Sequence, residues 1–368
     1  MLFRSCPLEE DQSQPDFAKL PKNCAHLKTT SATTGEPRFV AFTAEQLAAD
    51  AENIVATMGL RRDWPNLGVI SLAHSYGFSN LVTPLLLHGI PLILVSSPLP
   101  EIIRRASSEA EFITLPVVPA LWRTWLDASA IPKNLRLAIS AGAPLPLQLE
   151  QEIFKTCGIK IHNFYGATEC GGIAYDAADS PRNDGSCVGA AMKNVAVVIG
   201  ENGCLEVHSK AVAAGYLEDG ERPISDLQLP TPISHLPFSG GCFRTSDLAE
   251  IFGRHVYLRG RAGDQINVAG RKVSPETIER ALLKHPEVLE CLVFGVPSRD
   301  AERTEEIVAV VVSREREGVL RQFVLETLPA WQAPRHWWFV EAVQINSRGK
   351  VSRAEWRLIH PSPSLARL

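Results

Sequence analysis

Near the front of the chain, Thr30-Ser31-Ala32-Thr33-Thr34-Gly35-Glu36-Pro37-Arg38 places hydroxyls, a glycine and a terminal cation between two apolar runs. Small residues let backbone approach an anion closely, hydroxyls donate to its oxygens, and Arg38 supplies compensating charge. The chemistry such a loop suits is the holding of phosphate. It is not a Walker A loop, because Gly35 is followed by Glu36-Pro37-Arg38 rather than by Lys and Ser or Thr.

The elements around this loop must position it. Phe39-Val40-Ala41-Phe42 reads as a strand, which puts the loop between two strands. Thr43-Ala44-Glu45-Gln46 spells a capping box, and Leu47, Ala51, Ile54, Val55 and Met58 then share one helical face. Leu67–Leu72, Ile90–Val95, Leu135–Ile139 and Ile159–Asn163 read as buried strands. The first, third and fourth run straight into Gly-bearing polar segments, and polar loops at the carboxyl ends of strands are where open α/β sheets bind ligands. Residues 187–216 read as strand and turn, with Val195–Ile199 and Cys204–His208 flanking Gly200-Glu201-Asn202-Gly203, and so as a small β-rich subdomain. Residues 217–241, rich in Pro, Gly and Ser, read as an exposed insertion.

Beyond Arg261 the pattern becomes a compact α+β unit. Ser274 and Pro275 open a helix, strands follow at Leu289–Val296 and Glu306–Val312, then a helix near Val319–Leu328 and an apolar run at Trp337–Val343. The expected class is therefore α/β: a large N-terminal α/β domain with a β-rich subdomain, then a small α+β C-terminal domain. The boundary is placed at Gly260–Asp264, giving an extension over 1–24, a core over 25–260 and a C-terminal domain over 261–368.

Composition narrows the function classes. The 368 residues are 45% hydrophobic and 21% charged, enough for a large core in two or more domains. A net charge of -4 offers no basic field for nucleic acid or anionic lipid. The eight cysteines form no CxxC pair and read as reduced and structural, not as a zinc site or disulfide framework. The N-terminus lacks a signal-peptide apolar core, and the longest apolar stretch, Leu85–Val95, is broken by His88, Gly89 and Pro91. No membrane span and a cytoplasmic location are expected.

Six more segments bear on the first loop: Ala73-His74-Ser75-Tyr76-Gly77-Phe78-Ser79; Ser140-Ala141-Gly142-Ala143-Pro144-Leu145; Asn163-Phe164-Tyr165-Gly166-Ala167-Thr168-Glu169; Phe243-Arg244-Thr245-Ser246-Asp247; Gly260-Arg261 with Gly270-Arg271-Lys272-Val273-Ser274-Pro275-Glu276; and Asn346-Ser347-Arg348-Gly349-Lys350. With the opening loop they resemble, in order, TSGTTGxPKG, PLFHxxGL, SGGAPL, YGxTE, YRTGD, GRxDxxIKxxGxxVxPxEIE and the terminal NGK of adenylate-forming enzymes, the acyl-CoA synthetase and aryl-CoA ligase group. Each is weak alone. Seven in one order across residues 30–350 argue against coincidence.

The resemblance implies ATP-dependent activation of a carboxylic acid as an acyl-adenylate, with Mg²⁺, then transfer to a thiol of coenzyme A or of a carrier protein's phosphopantetheine. Thr30, Ser31, Thr33, Thr34, Gly35 and Arg38 would cradle phosphate. Gly142, Ala143, Pro144 and Asn163 would line the adenine, with Tyr165 stacked on it beside Gly166. Glu169 would ligate Mg²⁺ with Thr168 beside it, Asp247 would accept the ribose hydroxyls, and Arg261 would reach ribose or phosphate. Lys350 would stabilise the adenylation transition state from the second domain. That domain would then swing about the boundary, bringing the Ala269-Gly270-Arg271 loop to the thiol.

His74, Phe78, Asn80, Ala141, Cys170, Gly171 and Gly172 would form the acyl pocket. Amino-acid-activating members carry an aspartate near the second motif, whereas His74–Ser79 has no acid, so the expected substrate lacks an α-amino group. The adjacent glycines favour an aryl or medium-chain acid. Four substitutions depart from the pattern: Ala32 and Ser246 for glycines, Arg38 for lysine, and Gly263 for the first acid of the hinge pair, leaving Asp264. Full-length relatives also carry an additional N-terminal third before the phosphate loop. The expectation is either a compact member or a face covered by another surface, such as a homodimer. The alternative to an enzyme is a noncatalytic nucleotide- or acyl-binding regulator.

Overall fold

The computed structural model describes residues 23–30, 38–217, 238–298, 305–344 and 351–359. Strand β1 (Cys24–Thr29) pairs antiparallel with β2 (Phe39–Thr43), as expected for strands flanking the opening loop. Thr43 then caps α1 (Ala44–Met58): its hydroxyl accepts from Gln46 N–H while Gln46 Oε1 accepts from Thr43 N–H, the reciprocal box the residues spell. Ala51, Ile54 and Met58 are buried as the periodicity predicts, but so are Asp50 and Asn53.

A parallel sheet follows, built from β3 (Asn66–Gly68), β4 (Leu92–Leu94), β5 (Ile113–Val117), β6 (Leu135–Ser140) and β7 (Ile161–Ala167). Between them run α2 (Ser75–Gly77), a π-helical turn Phe78–Val82, α3 (Thr83–His88), α4 (Pro100–Ser107), α5 (Pro119–Asp127) and α6 (Leu147–Cys157). The expected strand over Leu67–Leu72 is cut short. A Cβ on Gly77 would lie 2.1 Å from Ser71 O, so the chain has already turned to pack against the start of α2. Strand β5 has no counterpart among the expected strands, because Pro116 interrupts its apolar run. Pro116 is also in register with Ile139 of β6. Thr114 N–H points to the β3 side and Val117 O to the β6 side, so Pro116 shares the β3-facing parity of Thr114, where the β3 pairing ends and no ladder bond needs its N–H.

At β7 the sheet changes sense. β8 (Gly171–Tyr175) and β9 (Cys187–Ala191) add antiparallel, and β10 (Ala196–Ile199), β11 (Cys204–His208), β13 (Phe238–Ser239), β14 (Cys242–Phe252) and β15 (His255–Arg261) complete a 12-stranded sheet. Its order is β10-β11-β14-β15-β9-β8-β7-β6-β5-β3-β4, with β13 on β14. Strand β12 (Gly215–Leu217) leaves this sheet and joins β2 beside the opening loop. Most of the expected insertion at 217–241 lies outside the described residues.

The C-terminal unit contains the β16 (Ile266–Val268) and β17 (Arg271–Val273) hairpin, α7 (Pro275–Leu282), β18 (Val288–Pro297), β19 (Glu305–Ser313), α8 (Glu317–Thr327), β20 (His336–Phe339) and α9 (Arg353–Ile359). Its apolar clusters draw on residues from Ile266 onward, and those of the α/β unit on residues up to Leu258. The whole is a large mixed α/β unit followed by a small α+β unit. Among the described residues no helix is long and apolar enough to cross a membrane.

Candidate functional site

The base of the opening loop is closed by its own ends. Thr30 N–H donates to Arg38 O at 2.9 Å, and Arg38 N–H donates to Thr30 Oγ1 at 3.0 Å. Ser31, Thr33, Thr34 and Gly35 lie outside the described residues, as does Lys350. Arg38 lays its guanidinium over the Tyr216 ring at 4.1 Å, a cation–π contact made possible because β12 pairs with β2.

Tyr216 carries this end of the site to the next motif. Its hydroxyl donates to Glu169 Oε1 at 2.8 Å, and the Glu169 carbonyl accepts from Ala213 N–H at 2.9 Å. Burial and the Glu169 carboxylate push the Tyr216 phenol well above its ordinary value, so it remains a donor. Thr168 and Glu169 sit in the turn between β7 and β8, where the sheet changes from parallel to antiparallel. Glu169 Oε2 has no hydrogen-bond partner among the described residues. A carboxylate with one oxygen held by a phenol and the other open is a donor set that fits Mg²⁺, a hard cation that completes its shell with phosphate oxygens.

On the other side of that turn, Tyr165 donates its hydroxyl to Asp247 Oδ2 at 2.5 Å, and Arg261 Nε donates to Asp247 Oδ1 at 3.0 Å. Asp247 and Arg261 are direct cross-strand partners on β14 and β15. Burial, and then the Asp247 charge, raise the Tyr165 phenol far above its usual value. Each Asp247 oxygen retains a further lone pair, so two hydroxyl donors can still be accepted. Asn163 is buried earlier on β7, while Gly142, Ala143 and Pro144 are exposed on the loop after β6, with Gly142 at φ +81°. Gly166 is also tightly placed: a Cβ there would lie 2.6 Å from Gly171 O.

The residues of the acyl-pocket set do not all face open space. His74 caps α2, its Nδ1 accepting from Tyr76 N–H at 3.3 Å, and Phe78 stacks on His26 with centroids 4.0 Å apart. Asn80 is buried and donates to Tyr76 O at 3.2 Å. Ala141 and Cys170 are buried, and burial followed by the Glu169 charge pushes the Cys170 thiol well up. Gly171 and Gly172 are glycines because of packing. A Cβ on Gly171 would meet Asp50 Oδ1 at 2.0 Å, and one on Gly172 would meet Met192 Sδ at 2.5 Å. Pocket width is therefore not what they supply in those directions.

Ala269 and Gly270 form the two-residue turn of the β16–β17 hairpin, at φ +52° and +80°, with Gly270 N–H donating to Asn267 Oδ1 at 3.0 Å. Positive φ at both central residues is the geometry of a tight hairpin turn, and Ala269 adopts it at a steric cost that glycine would not meet. Arg271 places its guanidinium 5.6 Å from the Trp331 ring centroid. Three residues after Lys350, Arg353 bonds Asp264 at 3.0 Å and Glu279 at 2.8 Å. This arginine was not singled out from sequence. It ties the segment following the terminal motif to Asp264 and to Glu279 of α7.

Nor was Tyr216 foreseen. Its only signal is an aromatic after Gly215 just ahead of the Pro-rich insertion. A further donor group, Glu206, His208 and Cys242, also escaped the cysteine-spacing argument, because β11 and β14 set His208 directly opposite Cys242. Its Glu206 is engaged by Arg244 at 3.0 Å.

Residues 4–217 match the AMP-binding enzyme family, and residues 277–350 its C-terminal domain. The chain is 28% identical to a sulfoacetate–CoA ligase of Cupriavidus necator, covering 94% of this chain and 69% of that one. It is likewise 28% identical to a mitochondrial malonate–CoA ligase of Mus musculus, covering 90% and 64%. Among solved structures, ATP-bound MatB from Rhodopseudomonas palustris superposes with TM-score 0.78 at 24% identity, covering 91% of this chain and 68% of that one. The o-succinylbenzoate CoA synthetase of Bacillus subtilis, solved with an acyl-adenylate intermediate, gives 0.77 at 21%, covering 90% and 68%. The chain thus spans about two thirds of the length of these relatives. With more than half of its 368 residues inside the first matched region, the chain belongs to the AMP-binding enzyme family.

Proposed function

We propose that the protein activates a carboxylic acid lacking an α-amino group with ATP and passes the acyl group to a thiol, coenzyme A or a carrier-protein phosphopantetheine. A carboxylate oxygen attacks the α-phosphorus, the bond to the bridging oxygen of the β-phosphate breaks, and pyrophosphate leaves. The thiol sulfur then attacks the acyl carbon of the adenylate, the bond from that carbon to the AMP oxygen breaks, and the thiol proton passes to solvent.

The observation that carries this reading is the β7–β8 turn. Thr168 and Glu169 stand there between the base of the opening loop, reached through Tyr216, and Asp247, reached through Tyr165. Phosphate-directed and ribose-directed groups thus lie on either side of one turn. Thr168 and Glu169 would hold Mg²⁺, which when bound neutralises phosphate oxygens. Arg38 supplies a fixed cation beside them, and Tyr216 orients the Glu169 carboxylate. Asp247, held by Tyr165 and Arg261, accepts the ribose hydroxyls. We assign Lys350 to transition-state charge stabilisation, and the Ala269-Gly270 turn to the thiol step after rotation about Gly260–Asp264.

The absence of an acid in His74–Ser79 supports a substrate without an ammonium group. The relatives' names support coenzyme A as acceptor and place sulfoacetate, malonate and succinylbenzoate in the first panel to try. ATP–pyrophosphate exchange over aryl, fatty, dicarboxylic and sulfonated acids tests the reading. Exchange driven by at least one acid is expected. ATP binding by calorimetry without exchange for any acid would replace the enzyme with the noncatalytic nucleotide-binding alternative. Supplying coenzyme A or a loaded carrier protein to the preformed adenylate then separates the acceptors.

A further inference from the structure

Three polar side chains far apart in sequence meet in the interior of the α/β unit. Lys28 from β1, Asp50 from α1 and Ser79 from the π-helical turn are 4%, 2% and 3% exposed. Lys28 Nζ donates to Ser79 Oγ at 3.0 Å, the Ser79 hydroxyl donates to Asp50 Oδ2 at 2.6 Å, and Lys28 lies 3.8 Å from the same carboxylate. The remaining oxygen, Asp50 Oδ1, accepts from Gly172 N–H at 3.0 Å. The fit at that end is close, since Gly171 at φ +71° has no room for a Cβ against the Asp50 carboxylate.

Each arm of this cluster leads to a different part of the site. β1 runs directly into Thr30. Ser79 lies between Phe78 and Asn80. Gly171 and Gly172 follow Thr168-Glu169-Cys170, so the Asp50 bond is the anchor on the far side of the turn from Tyr216. Burying such a pair costs desolvation that an apolar trio would avoid, and burial does push the Lys28 ammonium down against the opposing pull of Asp50. Stability alone is therefore a poor account of the cluster. Geometry is a better one, because the Asp50 carboxylate joins the Ser79 hydroxyl and the Gly172 N–H by hydrogen bonds and Lys28 by charge, three segments meeting at one point.

We infer that Asp50 is a positioning residue, which through Gly172 holds the Thr168–Glu169 turn in register with the Ser79 segment and the strand entering the Thr30 loop. This rests on the adenylation reading above. Groups that orient a metal-binding carboxylate from behind change activity by about 10- to 100-fold when removed.

Two charge-neutral pairs separate positioning from mere stability. Lys28→Met with Asp50→Asn keeps an oxygen to accept from Gly172 N–H; Lys28→Met with Asp50→Leu does not. Neither leaves a buried charge unpaired. The Leu-containing pair strands the Gly172 N–H and Ser79 hydroxyl and is expected to melt lower, so both pairs are assayed at a temperature where each is fully folded. The Leu-containing pair should show an exchange kcat lower by about tenfold or more, with KM for the acid changed less than threefold, and faster hydrogen exchange at the 168–173 backbone in the free protein. If the two pairs agree within threefold in kcat and match in hydrogen exchange, the inference is overturned. Should the Leu-containing pair not fold, Gly171→Ala serves, because its methyl displaces the Asp50 carboxylate; unchanged kcat in that folded variant overturns it equally. Failure of the wild-type protein to exchange with any acid would instead remove the adenylation reading itself, an outcome these variants do not mimic.

Discussion

Tyr216 joins the base of the opening loop to Glu169, and its effect is separable from folding. Its hydroxyl holds Glu169 Oε1 at 2.8 Å while its ring carries Arg38. Tyr216→Phe keeps the ring and the cation–π contact and deletes one hydrogen bond, a loss of about 1 kcal/mol in stability. Because the lost donor orients the carboxylate assigned to Mg²⁺, exchange should fall by about tenfold with a raised Mg²⁺ requirement. An unchanged Mg²⁺ titration would show that Glu169 needs no such orientation. Thr168, Glu169, Asp247 and Arg261 can be named from sequence because each lies in a short motif that resembles one family's. Tyr216, Asp50 and Arg353 were not, because each acts through a partner at a sequence distance of 47, 122 and 74 residues respectively, which no local spacing encodes.

Elements were read best where a local rule sufficed. The Thr43–Gln46 box starts α1 as its residues spell, and Ser274-Pro275 precedes α7, although Ser274 Oγ bonds Glu276 instead of capping the helix. Strands were read worst where tertiary packing overrode pattern, as at Gly77 for β3 and at Pro116 for β5. In the C-terminal unit, β19 and β20 are joined side by side as a parallel pair and also by an ion cluster: Glu306 Oε2 meets His336 Nε2 at 2.6 Å, and Oε1 accepts from Ser298 at 3.0 Å and Arg335 at 3.1 Å. Burial alone would raise the Glu306 pKa, but the His336 and Ser298 hydrogen bonds hold it below its ordinary 4.5. A depressed carboxylate contributes stability that is present above its unfolded pKa and lost as pH falls through the folded one. Glu306→Gln should therefore destabilise this unit by about 1 kcal/mol near neutral pH, and the difference should vanish in melts run below the folded Glu306 pKa. A difference that persists unchanged in acid would assign the loss to packing, not charge.

At the scale of the molecule, the apolar packing falls into two sets, one up to Leu258 and one from Ile266 onward. Their apolar clusters share no residue, and the described hydrogen bonds between them include Gln148 Nε2 to Leu283 O at 2.9 Å and Arg280 to Leu258 O at 3.4 Å, with no shared apolar layer. The change of pattern after Arg261 is legible in sequence because it is a change of periodicity, whereas the geometry of their contact rests on side-chain-to-backbone bonds that leave no pattern. We propose Gly260–Asp264 as the boundary between two units that unfold independently. Scanning calorimetry of the whole chain should then show two transitions. Glu306→Gln should move only the smaller unit's transition. ATP with Mg²⁺ should raise the larger unit's, by about 2.7 kcal/mol at a hundredfold excess over Kd, because the groups assigned to nucleotide among the described residues, Arg38, Tyr165, Glu169, Asp247 and Arg261, all precede Ile266. A single transition with equal calorimetric and van't Hoff enthalpies would mean that the two cores melt as one. The independent rotation proposed for the thiol step would then lack its thermodynamic basis.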